Sequence, residues 1–134
     1  MTTHCYYYYY SYHLLFIVLF TTSLLSFSSN AKGGETHLVG GDQGWTQFPN
    51  YALWATGKTF QVGDTLVFNY AQELHNVLQV NETAYEQCLR DPNLGVLQSG
   101  NDSVILQEAG QIWYICGLGD HCENGQKLTI WVLP

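Results

Sequence analysis

The residues with ligand chemistry concentrate in one block, Tyr114-Ile-Cys116-Gly-Leu-Gly-Asp-His121-Cys-Glu-Asn-Gly-Gln126-Lys127. Cys116 and His121 are five residues apart, and Gln126 follows five residues later. A Gly-rich loop of that length between two strands can bring its ends and its middle to a common point. It could offer a single ion a soft thiolate, an imidazole nitrogen and a weak amide oxygen. His75, forty-one residues before Cys116, could add a second imidazole. Two imidazoles, one thiolate and a weak axial donor make the ligand set of a blue-copper electron-transfer site. Taken singly, each residue has a plainer reading: His75 a hydrogen-bonding residue at a strand end, Cys116 half of a disulfide, Gln126 a surface amide. Only their conjunction points to a metal.

Those residues need rigid elements to hold them. Beyond residue 32 no repeat or low-complexity linker divides the chain, and short apolar stretches alternate with turn signals roughly every ten residues, the pattern of a β-sandwich or barrel. His37–Gly40, Thr59–Val62, Thr65–Tyr70, Val77–Val80, Ser103–Leu106, Gln111–Ile115 and Lys127–Leu133 read as strands. Leu66, Phe68 and Tyr70 share one face of theirs. Glu82–Leu89 reads as the one short helix, ended by Asp91-Pro92-Asn93. The expected fold class is therefore all-β, with about seven or eight strands and one short helix. His37 is expected on the strand surface, and Asp120 is expected to be a solvated loop charge. Trp45, Trp54, Trp113 and Trp131 are expected to pack in the core or against the sheet.

The first segment is set apart from the fold. Leu14–Phe20 opens an apolar run that continues, diluted by Thr and Ser, to Phe27, and Ser29-Asn30-Ala31 fits a signal-peptidase site. Residues 1–31 are expected to be a cleaved signal peptide, and residues 32–134 the mature domain. The run is too short and too hydroxyl-rich for a good membrane span. The Tyr6–Tyr10 tract stands where Lys or Arg is usual, so a retained N-terminal anchor is the alternative. No proline-rich tail or hydrophobic segment follows the last strand, so no lipid-anchor signal is expected at that end.

Charge and cysteine count narrow the field. The net charge of -7 and pI of about 4.9 argue against nucleic acid and give no basic patch for anionic lipid. After cleavage three cysteines remain, Cys88, Cys116 and Cys122, which in an oxidising compartment means one disulfide and one odd thiol. A metal is a natural occupant for that thiol. Asn81-Glu-Thr83 and Asn101-Asp-Ser103 are N-glycosylation sequons at Asn81 and Asn101.

The sequence resembles a phytocyanin, the plant extracellular branch of the cupredoxins, over almost all of the mature chain. The resemblance is carried by Val39-Gly-Gly41 with Gly44-Trp45 and Trp54, then Phe60-Gln-Val-Gly-Asp-Thr-Leu-Val-Phe-Asn-Tyr70, then His75-Asn-Val-Leu-Gln-Val80. It continues through Tyr85-Glu-Gln-Cys88, Tyr114-Ile-Cys-Gly117, His121-Cys122 and Gly125-Gln126-Lys127. It implies a Greek-key cupredoxin sandwich, one type 1 copper ion on His75, Cys116, His121 and Gln126, and a disulfide between Cys88 and Cys122. The pairing accords with neighbouring residues of an extended loop pointing opposite ways, so that Cys122 turns from the metal that His121 faces. Gln126, where many members carry Met, makes the chain similar to a stellacyanin and implies a low reduction potential. Gly117-Leu-Gly-Asp120 replaces the more usual Pro-containing spacer, which puts the rigidity of the loop in question.

The implied function is single-electron transfer between extracellular redox partners in the apoplast by a secreted monomer that does not insert into a membrane. Neither the donor nor the acceptor is identifiable, whether small molecule or protein. No acid–base pair or nucleophile suggests an enzyme, and the His-x-His pairs of a copper oxidase are missing from the mature chain. Structural zinc is disfavoured because Gln is a poor fourth ligand. The rival that survives is a cell-surface or wall-matrix interaction protein using the copper site as a scaffold.

Overall fold

Thr65–Asn69 is a strand with Leu66 and Phe68 fully buried and Asn69 exposed, the period of two that a sheet with one covered face requires. Tyr70, next on that face, is half-buried against the same core. The structure is a computed structural model and describes residues 33–134; the leader expected over residues 1–31 lies outside the described residues. Among the described residues eight strands are present: β1 (Thr36–Leu38), β2 (Phe60–Gln61), β3 (Thr65–Asn69), β4 (Val77–Val80), β5 (Gly95–Leu97), β6 (Asn101–Ile105), β7 (Gly110–Ile115) and β8 (Lys127–Leu133). They form a three-stranded sheet, β1-β3-β6, and a five-stranded sheet, β2-β8-β7-β4-β5. The β1–β3 and β2–β8 pairs are parallel, and the remaining pairs are antiparallel. The turn at Gly63-Asp64 thus joins strands of different sheets, not a hairpin.

The main core fills the space between the sheets. A file of rings crosses it, Tyr51 to Trp45 at 4.7 Å, Trp45 to Phe68 at 5.3 Å and Phe68 to Tyr114 at 5.3 Å between centroids. A second cluster lies on the other face of the five-stranded sheet, where Ala84 and Cys88 cover Leu78, Val80 and Ile115.

Among the described residues two short α-helices are present where the sequence suggested one, besides a single 3-10 turn at Gly41–Gln43. α1 (Tyr51–Ala55) is capped by the Asn50 side chain, which accepts from the Leu53 N–H. α2 (Glu82–Gln87) is the expected helix, capped by Asn81 and ended by Cys88 in the left-handed region at φ 52°. α1 carries only five residues, too few to display a helical period. β5 was also missed, being three residues without alternation.

Two side chains depart from expectation. His37 is buried, not on the strand surface, and its Nε2 lies 2.9 Å from Asp64 Oδ2. The same carboxylate accepts from the Gln61 and Glu35 N–H groups, so it ties β1, β2 and the turn before β3. Burial pushes the Asp64 pKa up, but the hydrogen bonds from His37, Gln61 and Glu35 outweigh it and hold the value below the ordinary one. Trp131 is 62% exposed on β8, while Trp45 is fully buried and Trp54 and Trp113 are half-buried.

Candidate metal centre

The site forms where β4, β7 and β8 lie side by side at one end of the larger sheet. β4 and β7 pair with Leu78 opposite Ile115, which sets the residues just before β4 beside those just after β7. His75 precedes β4 and is fixed by its N–H to the Ala71 carbonyl at 3.1 Å. Cys116 follows β7, and its N–H donates to the Gln126 carbonyl at 3.0 Å, one rung beyond the β7–β8 ladder. Between them the chain folds back on itself: His121 N–H reaches Leu118 O at 3.2 Å and Gln126 N–H reaches His121 O at 2.9 Å. Gly119 allows the reversal at φ 54°, a conformation that favours glycine.

This arrangement gathers three of the expected ligands. One donor atom each from His75, Cys116 and His121 lies within 4.8 Å of the other two. The two Nδ1 atoms are 3.1 Å apart, and Cys116 Sγ is 3.4 Å from His121 Nδ1. Cys116 is buried and outside any disulfide. Burial and the neighbouring His121 hold the His75 pKa below the ordinary imidazole value, with Gln126 opposing them. A neutral ring keeps its lone pair available near neutral pH.

Gln126 is fully buried. Its Nε2 donates to the Trp45 carbonyl at 3.1 Å, while Oε1 has no hydrogen-bond partner. A buried acceptor left bare costs about 1–3 kcal/mol unless something satisfies it. The Gln126 side chain favours the charged form of His75, as a nearby acceptor oxygen does. The chemistry of these donors fits copper: a soft thiolate, two imidazoles and one weak oxygen, against a structural zinc site that prefers four strong ligands.

The other singled-out residues fall around the centre. Cys88 and Cys122 form a disulfide with Cα atoms 5.7 Å apart, tying the end of α2 to the residue after His121. Lys127 adds a second tie, with Nζ 3.2 Å from the Tyr85 carbonyl and 4.7 Å over its ring. Asp120 is exposed on the loop, and Asn81 and Asn101 are exposed at the starts of α2 and β6.

Two supporting residues went unread in the sequence. Asn76 Oδ1 accepts the Gly117 N–H at 2.6 Å and lies 3.8 Å from Cys116 Sγ, bracing the turn out of β7. Its adjacency to His75 was the only available signal. Trp45, read as core packing, also joins the ligand segments: its Nε1 donates to the Asn76 carbonyl at 2.8 Å and its own carbonyl holds Gln126. Gly44 makes this possible, because at φ 65° a Cβ there would stand 2.5 Å from the Asn69 carbonyl. Tyr51 of α1 secures the same turn by hydrogen bonds to the N–H and carbonyl of Thr46.

Residues 45–126 match the model of the plastocyanin-like domain family, a span that begins at Trp45 and ends at Gln126. The chain belongs to the plastocyanin-like family, as a phytocyanin. Blue copper protein 1b of Medicago truncatula is 42% identical over 118 residues, 87% of this chain and 73% of its own length. The solved structures of cucumber basic protein, a blue copper protein, and of cucumber stellacyanin with Cu2+ each align at 37% identity and a TM-score of 0.67. They cover 73% and 75% of this phytocyanin and 99% and 96% of their own chains. Overall similarity is thus equal for these two, and the subtype has to be read from the site itself.

Proposed function

We propose that this phytocyanin holds one copper ion on His75 Nδ1, His121 Nδ1, Cys116 Sγ and Gln126 Oε1, and carries single electrons between extracellular partners. The observation that carries this reading is the convergence of three strong donors beside a buried, unpartnered amide oxygen. When bound, copper supplies the one-electron Cu(II)/Cu(I) couple.

The protein's part is to hold the ligands still. Asn76 and the β7–β8 rung fix the Cys116 backbone, the disulfide restrains the loop beyond His121, and Trp45 orients the Gln126 amide. A ligand set braced by packing and hydrogen bonds favours a geometry that changes little when charge changes, which keeps the barrier to electron transfer low. With copper bound, Cys116 would be the ligand that couples it to β7, because a thiolate is the most covalent donor of the four. Gln126 Oε1, a hard donor, would favour Cu(II) over Cu(I) and so give a stellacyanin-like low reduction potential. The proposal includes removal of residues 1–31 in the secretory pathway. Among the described residues no helix is long and apolar enough to cross a membrane.

The test is the visible absorption of the mature, disulfide-bonded domain loaded with Cu(II), beside Cys116→Ser. An intense blue thiolate-to-copper band in the parent and its complete loss in Cys116→Ser is the expected result. A folded, copper-bound parent without the band would remove Cys116 from the ligand set and leave the non-redox scaffold reading in its place.

A further inference from the structure

The interval between Cys116 and His121 poses a problem of stiffness. It reads Gly117-Leu-Gly-Asp120, with two glycines and no proline. Glycine loses more backbone freedom on folding than any other residue. Left alone, such a stretch would not hold His121 at one distance from Cys116.

The structure supplies an external brace. Arg90 lies two residues beyond Cys88, on the segment that follows α2. Its Nε donates to the Gly117 carbonyl at 2.9 Å, and its Nη2 donates to the Gly119 carbonyl. One planar guanidinium therefore spans both glycines of the interval, and a rigid fork fixes two acceptors relative to each other as well as to itself. The N–H of Gly117, in the preceding peptide, is held by the Asn76 side chain. The Arg90 Nη2 also lies 3.8 Å from Glu123 Oε1, but that pair is exposed and long and contributes little.

We propose that Arg90 is a positioning residue for the metal centre, its fork replacing the stiffness that a proline ring would give the interval before His121. The brace itself is independent of copper; its consequence for the ion rests on the function proposed above. With Cys88 it forms a double attachment, since the segment 88–90 grips both the middle of the loop and its far end.

Arg90→Lys keeps the charge without the fork, Arg90→Gln removes the charge, and Glu123→Gln breaks only the ion pair. Amide hydrogen exchange is read first on the metal-free, disulfide-bonded protein. In both Arg90 variants the His121 amide, which donates to the Leu118 carbonyl inside the braced interval, is expected to exchange roughly five- to tenfold faster, the factor of one net hydrogen bond, while β7 and β8 amides keep parent rates. Release of Cu(II) to a chelator from the loaded protein should quicken by a similar factor, with a changed Cu(II) paramagnetic resonance spectrum. Glu123→Gln should match the parent in all of these. Unchanged loop exchange, full rescue by Lys, equal loosening of β7 and β8, or an unmoved copper spectrum and release rate would each overturn the proposal. A parent without a blue band whose metal-free Arg90 variants still loosen the loop would sink the proposed function and uphold the brace.

Discussion

Gln126 enters the core with its amide nitrogen committed to the Trp45 carbonyl, leaving the oxygen as the end available to an ion. Replacing it by Met exchanges a hard donor for a thioether, which tolerates Cu(I) better. Gln126→Met is therefore expected to raise the reduction potential by more than the ~59 mV that one tenfold change in a one-electron equilibrium represents. A redox titration of both proteins checks it; an unchanged or lower potential would take Gln126 out of the ligand set. At this scale the sequence was most legible where chemistry is written in residue type. Cys116, His121 and Gln126 lie within eleven residues, and no plainer role explains all three together. It was least legible where a role depends on a partner far along the chain. The His37 ring meets a carboxylate 27 residues away, and the Gln126 amide meets a carbonyl 81 residues away. Apart from its place beside His75, nothing local to Asn76 distinguishes it from a turn amide.

At the level of elements, the short pieces matter because long ones start from them. Asp64 gathers hydrogen bonds from His37, Gln61 and Glu35 at the point where β1, β2 and β3 meet. Its pKa is lower folded than unfolded, so its contribution is complete above the unfolded value near 4 and is lost as pH falls through the folded value. Asp102, held down by Tyr70 and Ser99 against its burial, acts in the same direction. Denaturant unfolding between pH 7 and pH 2 should show parent stability dropping steeply below about pH 4. Asp64→Asn should be less stable at pH 7 and have a shallower acid limb; an identical limb would clear Asp64 of the effect. Asn81 caps α2 through the oxygen of its side chain and is also a sequon residue. Asn81→Ala should cost about 1 kcal/mol through the lost cap, whereas Asn81→Asp should retain it. Measured on carbohydrate-free protein, equal losses for the two would show that the cap contributes nothing. Strands with strict alternation, such as β3 and β8, could be read in advance. α1 and β5 could not, because five and three residues are too few for a period to stand out.

For the molecule as a whole, the class of fold was readable but the partition into sheets was not. Strand existence follows from local alternation, while sheet membership is decided by which faces can be buried together, a sum over the chain. The turn at Gly63-Asp64 illustrates this, since a hairpin and a crossing between sheets leave the same local trace. The disulfide works at this scale too. It closes a loop with a sequence separation of 34, and its loss should lower global stability by about 3–4 kcal/mol on the chain-entropy estimate. Chemical denaturation of the Cys88→Ala/Cys122→Ala double variant would measure it, and a loss below about 1 kcal/mol would place the bridge's value in the loop alone. The two sheets also end in four outer strands, of which β1, β2 and β5 have three, two and three residues while β6 has five. An outer strand offers its bare N–H and C=O groups to any other chain, and short ones offer little. Aggregation by edge-to-edge pairing thus has one favoured seam, β6, with Ile105 59% exposed towards one end and the Asn101 sequon at the other. A carbohydrate on Asn101 would stand guard over that seam. Protein from a bacterial host, or Ser103→Ala protein from a glycosylating one, should self-associate at concentrations where the glycosylated parent stays monomeric, a difference that static light scattering would read directly.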